Sequence, residues 1–334
     1  MTLRTRLSPA AASALLDIQA PVADALEHVL QEMKRIVVSE TALVNHVSDH
    51  LMLMRGKMMR PTMLLLASEI EGTPHPQATA YAAVVELIHL ATLVHDDAVD
   101  HSVLRRGMPT VNAMFSHQVS VIMGDFLYSR ALLELVRLGN LEHLEVLARA
   151  SNELTVGEIR QLAALDALAF SESDYELLIR AKTAALFSGA CEVGALCGAA
   201  AHRNAMRTYG TQLGMAFQVV DDLLDYTASS ATVGKPTGLD LKEHKATLPL
   251  IAALPHMSPN ERSVVGELFQ TAEPSDELVG RVIEIVREQG GLDYARRRGD
   301  EYAHRAEDAL ADLPDSPVKT ALLDTVAYVM ERRS

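Results

Sequence analysis

Two short acidic segments each place three aspartates at the end of an apolar stretch. They are "LVHDDAVD" (93–100), with Asp96, Asp97 and Asp100, and "FQVVDDLLDY" (217–226), with Asp221, Asp222 and Asp225. On a helix the first and last aspartate of each set share a face, one turn apart. Carboxylates about 4 Å apart repel by roughly 4 kcal/mol at an effective dielectric near 20. A divalent cation relieves that repulsion, and oxygen ligands without a His or Cys set favour Mg²⁺, which typically bridges to phosphates.

Basic residues that could bind phosphate lie close to both acidic segments in the chain. Arg105 and Arg106 follow the first segment, and Lys235 and Lys245 follow the second. Arginine binds phosphate through two parallel hydrogen bonds, and lysine binds it as a mobile point charge. The two acidic segments and their cations therefore predict magnesium and phosphate chemistry.

A third group of polar residues predicts a second anion site. "RGKMMRP" (55–61) carries Lys57 and Arg60 one helical turn apart. His89 lies two turns before Asp96 on the same helix, about 10 Å away. A single histidine on an apolar helix is often a hydrogen-bonded core residue, and that alternative stays open for His89.

The elements that must position these residues are predicted to be helices. Hydrophobic residues make up 49% of the 334-residue chain, yet aromatic residues are only 4%, and Ala, Leu, Glu and Met dominate long stretches. That composition favours helix over strand. Turn and cap residues interrupt the pattern at short intervals, and no interruption is long enough to be a linker between domains. They lie at 72–77, 171–174, 256–261, 272–277 and 312–317. We therefore predict one all-helical domain over residues 1–334.

One segment departs from the helical pattern. Residues 227–247, "TASSATVGKPTGLDLKEHKAT", are rich in Ser, Thr, Gly and Pro and follow the second acidic segment directly. Long loops within compact domains are usually functional or disordered. Because this one carries Lys235 and Lys245, we predict a lid over phosphates.

Charge and composition exclude several classes of protein. A formal net charge of -14, without a run of basic residues, argues against nucleic-acid binding. We find no uncharged apolar run long enough to cross a bilayer, so any membrane contact is expected to be peripheral. Ser13 and Asp17 interrupt the N-terminal segment, so secretion is not expected. Cys191 and Cys197 are expected to be packed thiols in a protein of the reducing cytoplasm.

Together these segments resemble the trans-type isoprenyl (polyprenyl) diphosphate synthase family. The resemblance covers most of the chain, with the pieces in the family's order. They are "GKMMRP", "ELIHLATLVHDDAVDHSVLRRGMPTVN", "MGDFLYSRALL", "GEIRQL", "KTAALF", "GMAFQVVDDLLDY" and "GKPTGLDLKEHKATLPLI". The resemblance implies a bundle of about ten or more helices around a deep central cavity, usually in a homodimer, with the two acidic motifs facing each other at its mouth.

The resemblance also implies roles for individual residues. The six motif aspartates would hold Mg²⁺, three ions with substrate bound, on the diphosphate of an allylic substrate. That diphosphate would contact Arg105, Lys182, Thr183, Gln218, Lys235 and Lys245. Thr183 and Gln218 would lie near the allylic carbon, where oxygen dipoles stabilise positive charge. The diphosphate of isopentenyl diphosphate would contact Lys57, Arg60, His89 and Arg106.

The implied reaction needs no nucleophilic side chain. The allylic C–O bond ionises, the isopentenyl double bond attacks the carbocation, and the released diphosphate takes up a proton. Two positions depart from the family pattern: Arg55 and His244 stand where many relatives have Gly. These departures put the local loop conformation at both positions in question, because glycine tolerates positive φ and other residues seldom adopt it.

Small residues below the first acidic motif predict a long product. Ala91 and Thr92 stand where bulky aromatics form the cavity floor in short-chain relatives. One helical turn, about 5.4 Å, is about one isoprene unit. We therefore predict a product of C25 or longer, such as a quinone side-chain precursor, with a chain-length pocket formed by Ile88, Ala91, Thr92, Leu132 and Leu135. Ala91 could instead serve close helix packing.

Three alternatives remain open at this point. The first is a shorter-chain farnesyl or geranylgeranyl diphosphate synthase. The second is a class I terpene cyclase or a head-to-head condensing enzyme, which generally lacks the site implied by Lys57, Arg60 and His89. The third is a regulatory subunit of a heteromeric synthase, in which lost metal ligands would be expected, whereas all six aspartates are present.

Overall fold

Most of the described residues are helical, as the composition predicts. The computed structural model describes residues 9–54, 56–72, 74–163, 167–227 and 237–331. The first helices are α1 (Pro9–Gln19), α2 (Ala23–Val37), α3 (Ala42–Leu53), α4 (Met59–Ser68), α5 (Ala78–Val99), α6 (Val111–Met114), α7 (His117–Leu138) and α8 (Leu141–Ala163). They are followed by α9 (Glu172–Ile179), α10 (Ala185–Gly198), α11 (Arg203–Thr227), α12 (Leu239–Lys242), α13 (Leu248–Ala253), α14 (Pro259–Gln270), α15 (Asp276–Glu288), α16 (Gly291–Ala309) and α17 (Pro317–Glu331).

Shorter elements connect these helices. Single 3₁₀ turns span Ala20–Val22, Ala167–Ala169, Ala200–His202 and Leu254–His256. A π-helical turn, Arg180–Ala184, lies between α9 and α10. The strands found in the described residues are β1 (Leu104–Arg105) and β2 (Met108–Pro109), which pair as an antiparallel hairpin with Leu104 opposite Pro109.

Helix boundaries follow the cap residues that interrupt the apolar pattern. Ser171 and Ser258 each form a reciprocal capping box, with Asp174 and Glu261 respectively, at the starts of α9 and α14. The Ser275 hydroxyl accepts the Leu278 N–H at the start of α15. Each cap satisfies backbone donors that a helix start leaves unpaired.

The described residues group into two compact units. The first comprises those within Met1–Ser151, Leu186–Gly210 and Asp312–Asp324, and the second those within Asn152–Ala185, Thr211–Ala311 and Thr325–Ser334. The prediction of one domain over 1–334 stays a prediction.

Helix α5 forms the centre of the first unit. It packs against α2, α4 and α7, and the residues from Ala80 to Ile88 are all buried. Its length and apolar composition would also suit a membrane span. No such span is predicted from the sequence, because Glu86 and the histidines interrupt its apolar residues. However, 72% of its most apolar stretch is buried inside the protein, as in the core helix of a soluble protein.

The second unit packs around α13 and α16. Helix α13 contacts α9, α15 and α16, and α14 packs on α15. A polar network ties α16 to α9: the Arg298 guanidinium donates to Glu172 and Glu176, and the Tyr302 hydroxyl donates to Glu176. Because both glutamates are paired, the N-terminal half of α9 is held against α16.

The two cysteines are buried free thiols, as predicted. The Sγ of Cys197 lies 3.5 Å from the Nε2 of His143. Burial raises the pKa of the Cys197 thiol to about 12, so it is protonated and unreactive at neutral pH.

Candidate active site

The first acidic motif lies at the C-terminal end of α5. Asp97 points into the first unit and is only 4% exposed, whereas Asp96 is half-buried and Asp100 is exposed. The N–H of Asp100 donates to the carbonyl of Asp96 at 2.8 Å, which closes the last turn. Asp96 and Asp100 therefore share the outer face that the sequence predicts, and Asp97 turns away from it.

Asp97 is paired with Arg105 inside the first unit. The Arg105 Nε donates to both carboxylate oxygens of Asp97, at 2.8 and 2.9 Å. Burial raises the pKa of Asp97, although the Arg105 guanidinium opposes that shift. Asp97 thus holds Arg105 in place, while Asp96 and Asp100 face outward.

The hairpin β1–β2 carries the two arginines that follow this motif. Its two turn residues, Arg106 and Gly107, have φ of 53° and 74°. Positive φ at both positions defines a type I′ turn, which fits the twist of a two-residue hairpin but normally selects Asn or Gly. An arginine in this conformation is uncommon and indicates a constraint from the surrounding structure.

Three of the four residues predicted to hold isopentenyl diphosphate interact electrostatically with one another. Burial, reinforced by the charges of Arg60 and Arg106, holds the pKa of His89 well below its ordinary value, so its ring is neutral at pH 7. The Arg60 guanidinium stacks 4.5 Å from the centroid of the Phe187 ring, and its Nε is buried without a hydrogen-bond partner. Unsatisfied buried donors of this kind are rare, and the Arg60 Nε–H is suited to donate to an anion.

The fourth residue of this group, Lys57, lies in a segment fixed from two sides. Gln19 donates through Nε2 to the carbonyl of Lys57 at 2.9 Å. Met58, the next residue, adopts φ 53° and is the N-cap residue that precedes α4. Arg55, one of the two positions that depart from the family pattern, also belongs to this segment but lies outside the described residues.

Glu86 was not singled out in the sequence, yet it belongs to this basic group. It is buried on α5 one turn before His89, and its carboxylate interacts electrostatically with Arg60 and Arg106. Burial raises its pKa, and the two arginines oppose that shift. A buried glutamate on an apolar helix is the signal that would have found it.

The second acidic motif lies at the C-terminal end of α11, and its middle aspartate is again the buried one. Asp222 accepts hydrogen bonds from the Tyr175 hydroxyl (2.6 Å) and from Gln218 Nε2 (2.8 Å). The Thr183 hydroxyl donates to Gln218 Oε1 at 2.6 Å. The structure therefore brings Thr183, Gln218 and Asp222 into one hydrogen-bonded chain, and it adds Tyr175, which sequence reasoning missed.

The outer members of this motif differ from each other. Asp221 is exposed, whereas the Asp225 carboxylate accepts the N–H groups of Leu239 and Asp240, both at 3.0 Å. Asp225 thereby anchors the start of α12 against the end of α11. The Asp225 charge in turn raises the pKa of Asp240.

Negative charge accumulates at the second motif. Burial raises the pKa of Asp222 and Asp225, and burial together with the Asp225 carboxylate raises the pKa of Asp240 to about 7. The Asp240 carboxyl, which sequence reasoning missed, thus belongs to this group of acids. A divalent cation nearby would remove the charge repulsion that otherwise favours protonation of these carboxyls.

Lys182 and Thr183 lie in the π-helical turn. Lys182 Nζ lies 2.8 Å from Glu158 Oε1 and 3.0 Å from Gln161 Oε1, both on α8. A π turn inserts one extra residue into a helix and is frequent at functional sites. Glu158 and Gln161 belong to the segment "GEIRQL", but neither was predicted as a site residue.

The segment predicted to be a lid is described only in part. Residues 228–236, and with them Lys235, lie outside the described residues. Lys245 Nζ lies 2.6 Å from Glu243 Oε2, and its backbone N–H donates to the carbonyl of Asp240 at 2.8 Å. His244 adopts φ 56°, a conformation that glycine tolerates better than other residues, and its Nε2–H donates to the carbonyl of Thr271 at 2.9 Å.

Within the described ranges, no three His, Cys, Asp or Glu side chains converge closely enough to hold a metal ion unaided. Within the first unit, the outward carboxylates Asp96 and Asp100 can supply only part of a coordination shell. Mg²⁺ commonly takes its remaining ligands from water and substrate phosphates.

The residues predicted to form the chain-length pocket do not share one environment. Ile88 and Ala91 are buried, Thr92 is half-buried, and its hydroxyl donates to the carbonyl of His89 at 2.7 Å. On α7, Leu135 is buried but Leu132 is 45% exposed. The pocket stays a prediction, and Leu135 suits a floor better than Leu132 does.

Comparison with known proteins places this geometry among prenyl diphosphate synthases. A family model described as polyprenyl synthetase matches residues 41–286. The chain is 41% identical over 318 residues to the all-trans-nonaprenyl-diphosphate synthase (geranyl-diphosphate specific) of Rhodobacter capsulatus, covering 95% of this chain and 97% of that protein.

Two solved structures have similar folds. The decaprenyl diphosphate synthase from Rhodobacter capsulatus matches with a TM-score of 0.90 and 38% identity, over 95% of this chain and 98% of that one. The polyprenyl synthase from Caulobacter crescentus CB15, complexed with calcium and isoprenyl diphosphate, matches with a TM-score of 0.90 and 35% identity, over 96% and 98%. The similarity therefore extends over nearly the full length of both proteins.

Proposed function

Since this chain belongs to the polyprenyl synthetase family and is a trans-prenyltransferase, we propose that it adds isopentenyl diphosphate units head-to-tail to an allylic diphosphate. Its product is an all-trans polyprenyl diphosphate of C25 or longer. One observation carries the proposal: each acidic motif has a buried middle aspartate held by protein partners and an exposed aspartate, Asp100 or Asp221.

The six motif aspartates have two different roles in binding Mg²⁺. Asp96, Asp100 and Asp221 are the ligands, while Asp97, Asp222 and Asp225 fix the surroundings of those ligands through Arg105, Tyr175 and α12. When bound, the ions neutralise the leaving diphosphate. Three ions with substrate bound is the stoichiometry that the family resemblance implies. The divalent calcium in the Caulobacter relative supports a hard-cation site of this kind.

The allylic diphosphate is bound by Arg105, Lys182, Lys235 and Lys245. Arg105 is already oriented by Asp97, and Lys182 by Glu158 and Gln161. The oxygens of Thr183 and Gln218 stabilise positive charge at the allylic carbon as its C–O bond ionises. Because these dipoles are fixed before the reaction, no reorganisation is needed when the charge develops.

Isopentenyl diphosphate is bound by Lys57, Arg60, His89 and Arg106. His89 is neutral, so it donates one hydrogen bond and adds no charge to the site. The isopentenyl double bond attacks the allylic carbocation, and the released diphosphate accepts the proton that is then lost. A neutral histidine also avoids holding an acid beside the carbocation.

Product length depends on the residues below the first motif. Small residues below the first motif, Ala91 and Thr92, leave room for a growing prenyl chain, and Leu135 lies toward the far end of that chain.

The enzyme acts in the cytoplasm with at most peripheral membrane contact for product release, and its partners are its two substrates and a second copy of itself. A face of α7 supports the homodimer, because it exposes large apolar side chains within one arc: Val121, Ile122, Tyr128, Leu132, Leu133 and Val136.

The proposal is tested by incubating the purified protein with Mg²⁺, labelled isopentenyl diphosphate and geranyl, farnesyl or geranylgeranyl diphosphate. We expect diphosphate products of C25 or longer, and none from an Asp221→Ala variant. Products that stop at C15 or C20 would favour a shorter-chain synthase. A hydrocarbon would favour a cyclase, and activity only with a partner chain would favour a regulatory subunit.

A further inference from the structure

The Arg106 side chain is held against the segment that carries Lys57. Its Nη1 donates to the carbonyl of Met54 at 2.6 Å. Its backbone adopts φ 53° in the type I′ turn, a conformation that arginine seldom takes. The unusual backbone and the long-range hydrogen bond together give the guanidinium one defined position.

That position requires a glycine at residue 56. A Cβ built on Gly56 would lie 2.6 Å from Nη2, 2.8 Å from Nη1 and 2.9 Å from Cζ of Arg106. Carbon atoms do not approach non-bonded atoms so closely, so any side chain at residue 56 would displace the guanidinium. The Arg106 guanidinium thus occupies the space that a side chain at residue 56 would fill.

The backbone at Gly56 does not itself require glycine. Its φ lies outside the left-handed region, unlike that of Gly107. Alanine can adopt such a conformation without strain. The absence of a side chain at residue 56 is therefore explained by contact with Arg106 and not by the turn.

Electrostatics supports the same arrangement. The buried Glu86 attracts both Arg106 and Arg60, which repel each other. If the Arg106 guanidinium were displaced from Gly56, it would lose both its attraction to Glu86 and its hydrogen bond to the carbonyl of Met54. Contact with Gly56 and attraction to Glu86 thus favour one position of the guanidinium.

We propose that Gly56 is a positioning residue for isopentenyl diphosphate. Its bare α-carbon leaves room for the Arg106 guanidinium next to the backbone that carries Lys57, so that both cations are presented to one diphosphate. This role rests on the proposed function. It predicts that a methyl group at residue 56 weakens binding of the isopentenyl substrate and leaves binding of the allylic substrate unchanged.

The test is a double-mutant cycle of Gly56→Ala and Arg106→Ala, with steady-state KM measured for each substrate. We expect Gly56→Ala to raise the KM for isopentenyl diphosphate about tenfold and to change the allylic KM less than about twofold. In the Arg106→Ala background, Gly56→Ala should have no further effect, because the displaced group is gone. The control is Gly266→Ala on α14, where a Cβ would meet no atom within 4 Å.

The outcomes separate this role from the function itself. Additive effects of the two substitutions, equal changes in both KM values, or kinetics equal to those of the control would overturn the role of Gly56. A wild-type protein that does not condense isopentenyl diphosphate would overturn the proposed function instead. If Gly56→Ala impairs folding, Arg106→Ala should restore the thermal midpoint of the double variant, and failure to restore it would count against the contact.

Discussion

At the scale of single residues, the acidic motifs separate structural from metal-binding carboxylates. A buried carboxylate is costly unless it is paired, and Asp97 and Asp222 both meet that condition. Asp97 is paired with Arg105, and Asp222 with Tyr175 and Gln218. The outward aspartates have more contact with solvent, so removing them affects folding less.

This division predicts different effects for two neighbouring substitutions. Asp96→Ala should lower kcat/KM by about a hundredfold or more without lowering the thermal midpoint, because it removes a metal ligand and also some charge repulsion. Asp97→Ala should also lower the free energy of unfolding by about 1–3 kcal/mol, because Arg105 loses its partner. Steady-state kinetics and thermal unfolding measure the two effects.

Glu145→Ala, at an exposed acid on α8, is the matched control for this pair. It should change neither activity nor stability. Loss of stability in Asp96→Ala as large as that in Asp97→Ala would contradict the division.

At the scale of elements, turns and helix irregularities position much of the site. The hairpin β1–β2 orients Arg105 and Arg106, and the π-helical turn holds Lys182 and Thr183. The turn after α12 holds Lys245 through its neighbour His244, whose ring is hydrogen-bonded to the carbonyl of Thr271. Irregular backbone allows adjacent residues to point in directions that a continuous helix cannot provide.

The turn after α12 gives the prediction at this scale. His244→Ala should lower the free energy of unfolding by about 1–2 kcal/mol, because the hydrogen bond to Thr271 is lost while the backbone stays at positive φ. His244→Gly should recover part of that loss, since glycine adopts positive φ without strain. Both variants should raise the KM for the allylic substrate, because Lys245 loses its anchored neighbour.

Chemical denaturation and substrate kinetics on the two variants measure these effects. An allylic KM in His244→Gly equal to that of the wild type would show that the bond to Thr271 does not position Lys245.

At the scale of the whole molecule, the apolar face of α7 predicts self-association. Ile122, Leu133 and Val136 are each more than 60% exposed on this one face, and such a continuous patch is unusual for a monomer. Ile122→Asp combined with Leu133→Asp should convert a dimer into monomers, because two charges cannot be buried without partners. Light scattering coupled to gel filtration measures the mass directly.

Leu16→Asp, at a similarly exposed leucine on α1, is the control and should remain dimeric. A wild-type protein that is monomeric at micromolar concentration would contradict this prediction.

Local sequence was sufficient for the helical class, many helix boundaries and the family. Composition predicts helices, and Ser171 and Ser258 mark helix starts because capping acts over three residues. The shared face of Asp96 and Asp100 follows from helical periodicity alone. The burial of α5 follows from apolar residues on nearly every face.

Tertiary structure alone decided which aspartate of each motif is buried and which neighbours position the cations. Adjacent aspartates look equivalent in sequence, and the partner of Asp222, Tyr175, is 47 residues away in the chain. The contact of Arg106 with Gly56, the electrostatic role of Glu86 and the contribution of Asp240 likewise join residues from separate segments. Periodicity and capping reach only about one helical turn, whereas these contacts depend on how distant segments pack.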